Sequence, residues 1–386
     1  MEIYLDNSAT TPAYDEVKDV MIRCLSTDFG NPSSLHKKGF EAEEYIEEAK
    51  KNIASVLKVD AKGIIFTSGG TEANNLALIG ASLAMKRRGN HIITTAIEHK
   101  SVSETTKFLS DNGFEITYLP VDSYGRISIE DLKASLREET ILVSVMYVNN
   151  EIGSVMPIEA IGKCIKEYNP NILFHVDAIQ AFGKYNIYPS RLNIDLLSVS
   201  GHKIHGPKGS GFLYVKDKLK IKPIIYGGGQ QDGMRSGTEN VPAIAGLGVA
   251  VKKSYENFDE KIANMRKVKA HLIEGLKSIP DVYINGEYGE NSAPHIISAS
   301  FLNVKSQNLL NALSGEGIYV SSGSACTSND HKQKHSITLT AIGLKRELLD
   351  STIRFSLSSD NTLEEIDYVI DKLNQIVPVQ RKFVRK

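Results

Sequence analysis

Between about residues 60 and 215 the chain repeats one pattern, a short apolar run followed by an amphipathic stretch. GIIFTS leads into a helix from Thr71 and HIITTA into a helix from about Lys100. FEITYLPV, ILVSVMYV with the helical PIEAIGKCIKEY, ILFHVDA, DLLSVS and GFLYV carry the pattern on. Strands that alternate with helices predict an α/β domain around a largely parallel sheet. Ligands of such sheets sit at the carboxyl ends of the strands, which narrows the search for a site to a few loops. After Pro242 the character changes to one long helical stretch, AIAGLGVAVKKSYENFDEKIANMRKVKAHLIEGLKSI. It bridges to a second domain from about residue 257 to the end, with strands in IISASFL and STIRFSL and a terminal helix through EEIDYVIDKLNQIV.

A chain of 386 residues has room for roughly two to three domains and a large core, so it needs no structural staples. Its three cysteines, an odd number, do not make a disulfide framework and suit a reducing cytosol. MEIYLDNSATTP lacks the apolar run of a signal peptide, and no stretch approaches the roughly 18 residues of a membrane span. A soluble cytoplasmic protein is expected. With 45 basic against 46 acidic residues the chain has no electrostatic basis for direct nucleic-acid binding. The basic carboxy terminus, VPVQRKFVRK, reads as a solvated tail.

The strand ends carry the chemistry. In ILFHVDAIQAFGK, Asp177 follows an apolar run, with Gln180 one turn on; it is either a ligand group or a helix N-cap. DLLSVSGHKIHGPKG ends in Ser200, Gly201, His202 and Lys203. A lysine at the end of an apolar strand is partly desolvated, which makes it a candidate Schiff-base nucleophile; a plain surface lysine is the alternative. In GIIFTSGGTEANNLAL the glycine pair Gly69 and Gly70 precedes Thr71 and a helix whose free N–H groups and dipole make a phosphate cup. The spacing is not a dinucleotide GxGxxG, nor is Gly201 to Lys208 a Walker loop, because Pro207 follows Gly206. A phosphate cup, a strand-end acid and a strand-end lysine together match pyridoxal phosphate, which takes a lysine on its carbonyl carbon and an acid on its ring nitrogen. His99 in AIEHKSV could stack on that ring and move protons, or simply open a helix. Asn150 in YVNNEIG sits at a fourth strand end. Arg354 in STIRFSL offers a planar fork to a substrate carboxylate, with a structural salt bridge as its competing role.

End to end, the chain resembles the cysteine desulfurases of the NifS/IscS type. YLDNSATTP, NPSSLH, FTSGGTEANN, EHKSV, VNNEIG, HVDAIQ, SGHKIHGPKG, GGGQQDGMRSGT, SSGSACTS and IRFSL occur in that family's order. The resemblance implies a pyridoxal-phosphate-dependent transferase fold of the aspartate-aminotransferase type (fold type I). Its large domain, residues 14–256, would hold a mostly parallel seven-stranded sheet. A smaller α+β domain, residues 1–13 and 257–386, would carry a cysteine loop at about residues 321–335. The resemblance also implies roles. Lys203 would hold the cofactor, Asp177 pair with its ring nitrogen, Gln180 with its ring hydroxyl, and His99 stack on the ring and act in acid-base steps. Gly70, Thr71, Ser200 and His202 would hold the phosphate, joined by Thr238 from the other subunit of a homodimer with shared active sites. Asn150 and Arg354 would bind the substrate carboxylate. Cys326 would attack the sulfur of bound L-cysteine, leaving alanine and an enzyme persulfide that is handed to an acceptor protein, an iron-sulfur scaffold or a tRNA-thiolation enzyme. A selenocysteine lyase, an aminotransferase or a low-turnover sulfur-relay partner are the alternative readings.

The loop needs mobility and an accessible thiolate, which suits the small residues around Cys326. Cys24 and Cys164 fall on apolar helical stripes and belong to the core. A zinc site from Cys326, His331 and His335 would need a helix and a fourth ligand, so no metal is expected. Two stretches depart from the family's usual pattern. NDHKQKHSITLTAIG lacks a Pro-Ser pair after the cysteine, and Gln231 and Asp232 stand where a Glu-Arg pair is usual.

Overall fold

The computed structural model describes residues 2–322 and 335–382, so Cys326 and His331 lie outside the described residues. Every strand read from the 60–215 pattern is present, and they form one seven-stranded sheet. Its order is Ile64–Thr67, Gly211–Val215, Leu196–Ser200, Leu173–Asp177, Thr140–Met146, His91–Thr95 and Glu115–Leu119. Gly211–Val215 runs antiparallel to both neighbours, and all other pairings are parallel.

Successive side chains of a strand point to opposite faces, and both faces here are covered by helices. Phe212 and Tyr214 pack on one side with Ile46, Ile53 and Leu247, from the helices Lys37–Leu57 and Val241–Tyr255. Leu213 and Val215 pack on the other with Leu76, Ala77 and Val102. The result is a three-layer sandwich whose strands all open their carboxyl ends, the antiparallel one excepted, at one edge.

The single long helical stretch expected after Pro242 is instead two helices, Val241–Tyr255 and Phe258–Ser278. Asn257 breaks them with a left-handed backbone, φ 51°, a conformation asparagine tolerates better than most residues. Beyond the break a four-stranded sheet forms in the order Ser321–Ser322, Thr352–Ser356, Ile296–Phe301, Val282–Asn285, antiparallel throughout. The helices Phe258–Ser278 and Leu363–Lys382 supply Leu272, Leu276, Val369 and Leu373 to its apolar core. Ile3 and Leu5 belong to that same core, because the strand Ile3–Tyr4 pairs in parallel with Ile318–Tyr319. Cys24 and Cys164 are buried in the larger core, as their helical stripes imply. Among the described residues no helix is long and apolar enough to cross a membrane.

Candidate active site

The carboxyl edge of the large sheet opens on a cavity of about 360 Å³, within the size range of cofactor sites. Gly70, Thr71, His99, Asn150, Asp177, Gln180, Ser200, His202, Lys203 and Arg354 all border it. Thr238 does not; it lies in a separate groove with Ser68, Ser210 and Arg235. Ser321, at the last strand before the cysteine segment, borders the cavity. His335, the one candidate zinc ligand inside the described residues, sits against Asp350 Oδ1 at 3.1 Å.

The glycine pair shapes the anion end. Gly69 has φ 149°, so the chain can turn from strand Ile64–Thr67 straight into helix Gly70–Met85. A Cβ on Gly70 would stand 2.2 Å from Ile179 Cδ1, so the helix start packs closely on the segment after Asp177 and any larger residue would have to displace the Ile179 side chain. The free N–H groups of its first turn meet the cavity at Gly70 and Thr71. Glu72 would repel an anion there, but Arg235 Nε bonds its Oε1 at 2.9 Å and Ser68 N its Oε2 at 2.9 Å. Burial alone would raise the Glu72 carboxyl; these two partners outweigh it and hold it below the usual range.

Asp177 is 4% exposed and is no helix N-cap: Oδ1 accepts from Ile179 N at 3.0 Å, closing a local turn. Its Oδ2 accepts from Asn74 Nδ2 at 2.8 Å. Burial pushes this carboxyl up, and the Ile179 N–H, the charge of His99, the Asn74 amide and the charge of Lys203 do not fully offset that. A cation placed in the cavity beside it would. Asn74 also donates to Ser101 Oγ at 2.9 Å, which in turn lies 2.8 Å from His99 Nδ1. That nitrogen also accepts from Ser101 N at 3.1 Å, the N-cap bond of helix Lys100–Asp111. The helix-opening role considered for His99 is present: Nδ1 caps the helix, which leaves the neutral ring's hydrogen on Nε2. Burial lowers its pKa, against the opposing pull of Asp177.

Lys203 closes the turn Gly201–Lys203, and its Nζ donates to Ser8 O at 2.5 Å and Ala9 O at 2.7 Å. Gln180 Nε2 donates to the same Ser8 O at 3.0 Å. Arg354 lies on strand Thr352–Ser356, where Nη2 donates to Asp6 Oδ1 at 2.7 Å and Nη1 to Asn150 O at 2.9 Å. The salt bridge considered for it is present, yet its guanidinium still borders the cavity.

Sequence reasoning missed Asp6, Ser8, Ala9, Asn74 and Ser101. Asp6, Ser8 and Ala9 reach the site because residues 6–9 run between Lys203 and Arg354, tied to Ser356 by Ser8 N at 2.8 Å. Only their place in an ordered motif marked them. Asn74 had a usable signal: it sits four residues after Gly70, one turn along the same helix face. Replacing it with leucine is expected to cost about 2 kcal/mol in urea unfolding, the worth of a hydrogen bond to a charged group; unchanged stability would show that Asp177 does not depend on it.

Glu98, beside His99, is also buried. Thr95 Oγ1 and Met146 N both donate to its Oε1, at 2.7 and 2.9 Å, while Oε2 has no partner among the described residues. Burial drives this carboxyl up to about 8, so Oε2 carries a proton near neutrality. A raised acid favours folding fully below its unfolded pKa and loses that advantage as pH climbs through the folded value. Glu98→Gln should therefore stabilise the protein relative to wild type at pH 8 but not at pH 4.5, by on the order of a few kcal/mol. A variant whose stability difference stays flat across that window would overturn the assignment.

The class-V aminotransferase family matches residues 3–369. A cysteine desulfurase IscS of Methanosarcina thermophila is 43% identical over 97% of this chain and 92% of its own. This chain belongs to the class-V aminotransferase family. Among solved structures, a NifS-like protein matches with a TM-score of 0.92 at 40% identity, over 98% of this chain and all of its own. SspA in complex with cysteine matches with a TM-score of 0.82 at 36% identity, over 94% of this chain and all of its own. Class-V aminotransferases of the desulfurase kind are pyridoxal-phosphate enzymes. The residues here fit that group: a buried acid facing the cavity for its ring nitrogen, a lysine amine, and a helix start whose first-turn N–H groups can meet a phosphate.

Proposed function

We propose that this chain is a pyridoxal-phosphate-dependent L-cysteine desulfurase that places sulfur on Cys326 and passes it on. The observation that carries the reading is the convergence of Lys203, Asp177 and the Gly70 helix start on one cavity. Bound there, pyridoxal phosphate supplies an electron-withdrawing ring that makes negative charge on the carbons of an attached amino acid affordable. Lys203 Nζ would hold the cofactor, and the carboxylate of Asp177 would keep a proton on the ring nitrogen. The N–H groups of Gly70 and Thr71, with Ser200 and His202, would hold the phosphate. Gln180 would give an amide hydrogen to the ring hydroxyl. His99 would face the ring and offer its Nε2 hydrogen, while Asn150 and Arg354 would orient the substrate carboxylate.

The Cys326 thiolate attacks the sulfur of the substrate cysteine. A sulfur–sulfur bond forms and the substrate carbon–sulfur bond breaks; its electron pair stays on the carbon, which takes up a proton from water or a protonated side chain of the site to become the methyl of alanine. One cysteine becomes one alanine and Cys326 gains one sulfur, with no external oxidant.

Residues 14–256 would act as the large domain, and residues 1–13 with 257–386 as the small domain that carries the cysteine segment; the shared packing of Ile3, Leu5, Leu272 and Phe355 supports this division. Thr238, away from the cavity of its own chain, would serve the second subunit of a homodimer. The sulfur acceptor would be an iron-sulfur scaffold or a tRNA-thiolation enzyme, and the protein would work in the cytoplasm. The test is incubation of the loaded protein with L-cysteine and no reductant. A Cys326 peptide heavier by one sulfur, with matching alanine, is expected; a ketoacid in place of alanine would favour an aminotransferase.

A further inference from the structure

A second pocket, of about 30 Å³ and partly open to the surface, has room for ordered water. His295 and Lys184 both border it. His295 precedes strand Ile296–Phe301 and is 1% exposed, its backbone fixed by Leu357 N bonding its carbonyl at 2.8 Å. Its Nε2 lies 3.4 Å from Gln180 Oε1.

The proton inventory of this pair follows from one fixed point. Ser8 O can only accept, so the amide nitrogen of Gln180 must face it, as it does at 3.0 Å. Gln180 Oε1 therefore faces His295, whose Nε2 must carry a hydrogen. Burial and the nearby cations of Lys184, Lys269 and Arg354 keep the ring neutral. Nδ1 is then a bare acceptor, and it is buried without a partner among the described residues. Lys184 Nζ donates to Lys203 O at 2.7 Å and has further hydrogens for the same small cavity.

We propose that His295 is a positioning residue of the cofactor site, holding the Gln180 amide in one orientation through Nε2–H while Nδ1 accepts from one water in the small cavity. The arrangement leaves the second amide hydrogen of Gln180 for the main cavity; a flipped amide would present an oxygen there instead. The inference rests on the cofactor reading above, in which Gln180 serves the ring hydroxyl.

The test uses full-length protein loaded with pyridoxal phosphate, in wild-type, His295→Leu, His295→Gln, Gln180→Leu and His295→Leu/Gln180→Leu forms. Cofactor dissociation constants and the absorption maximum of the bound cofactor are read. His295→Leu should weaken retention by about three- to tenfold and move the band in the direction that Gln180→Leu moves it. His295→Gln, whose amide can both donate to Gln180 and accept from water, should restore both. In the double variant the His295 change should add nothing, because it acts through Gln180. Wild-type behaviour of His295→Leu, additive losses in the double variant, or a His295→Gln as impaired as the leucine form would each overturn the proposal. A crystal structure of the loaded wild type provides a check that needs no variant: one ordered water on His295 Nδ1 is expected, and a dry cavity or a flipped Gln180 amide would refute it. A wild type that takes up no pyridoxal phosphate would instead sink the functional reading itself.

Discussion

Lys203→Ala should leave a folded protein that no longer holds pyridoxal phosphate covalently, and alanine formation should fall on the order of a thousandfold or more. The fold survives because Lys203 touches the rest of the chain mainly through its tip, at Ser8 O and Ala9 O, and through backbone bonds that any residue makes. The chemistry does not survive, because the amine is what attaches the cofactor. Borohydride reduction followed by peptide mass mapping is the measurement: wild type should carry the cofactor mass on the peptide containing Lys203, and the variant should carry none. A cofactor adduct on Lys184 in the wild type would displace Lys203 from its assigned role. Lys184 is the control because burial pulls its pKa down to about 7, yet its Nζ lies against Lys203 O and it does not border the main cavity.

Cys326→Ala should behave in the opposite way. The cofactor should stay bound with its absorbance intact, while sulfide release in the presence of a reductant drops by at least about a hundredfold. Neither remaining thiol can stand in. Cys24 and Cys164 are 2% and 4% exposed on helices of the large core, and burial pushes the Cys24 thiol up to about 11. A thiol that keeps its proton at neutral pH and cannot reach solvent does not attack sulfur. Wild-type sulfide release from Cys326→Ala would remove the persulfide from the mechanism.

Much of the fold was legible because short apolar runs alternating with helices admit few arrangements, and each run from GIIFTS to GFLYV became a strand of one sheet. The antiparallel insertion of Gly211–Val215 was not legible, since a strand's direction depends on the connection before it rather than on its own residues. Nor was the pairing of Ile3–Tyr4 with Ile318–Tyr319, because two residues carry no periodicity. At the site, residues whose chemistry stands out by type were legible: an acid and a lysine at the ends of apolar runs and an arginine inside one, all bordering the cavity. Those that act by holding others were missed. Asn74 and Ser101 look like ordinary polar positions on helices, and His295 looks like a core histidine until Gln180 is placed beside it. Ser8 and Ala9 act through main-chain carbonyls, which side-chain identity cannot reveal.

The passage of residues 6–9 between Lys203 and Arg354 bears on how such a chain comes to life. During synthesis these residues emerge early, but Arg354 and Ser356, which pin them, emerge some 348 positions later. Until then residues 8–11 are held from the large-domain side alone, by Gln180 on Ser8 O and by Thr11 against His202 and His205, although every strand of the large sheet has already left the ribosome. The substrate-carboxylate end of the cavity should thus be completed last, and a nascent chain halted before residue 350 should have a folded sheet and a placed lysine but a cavity open where Arg354 closes it.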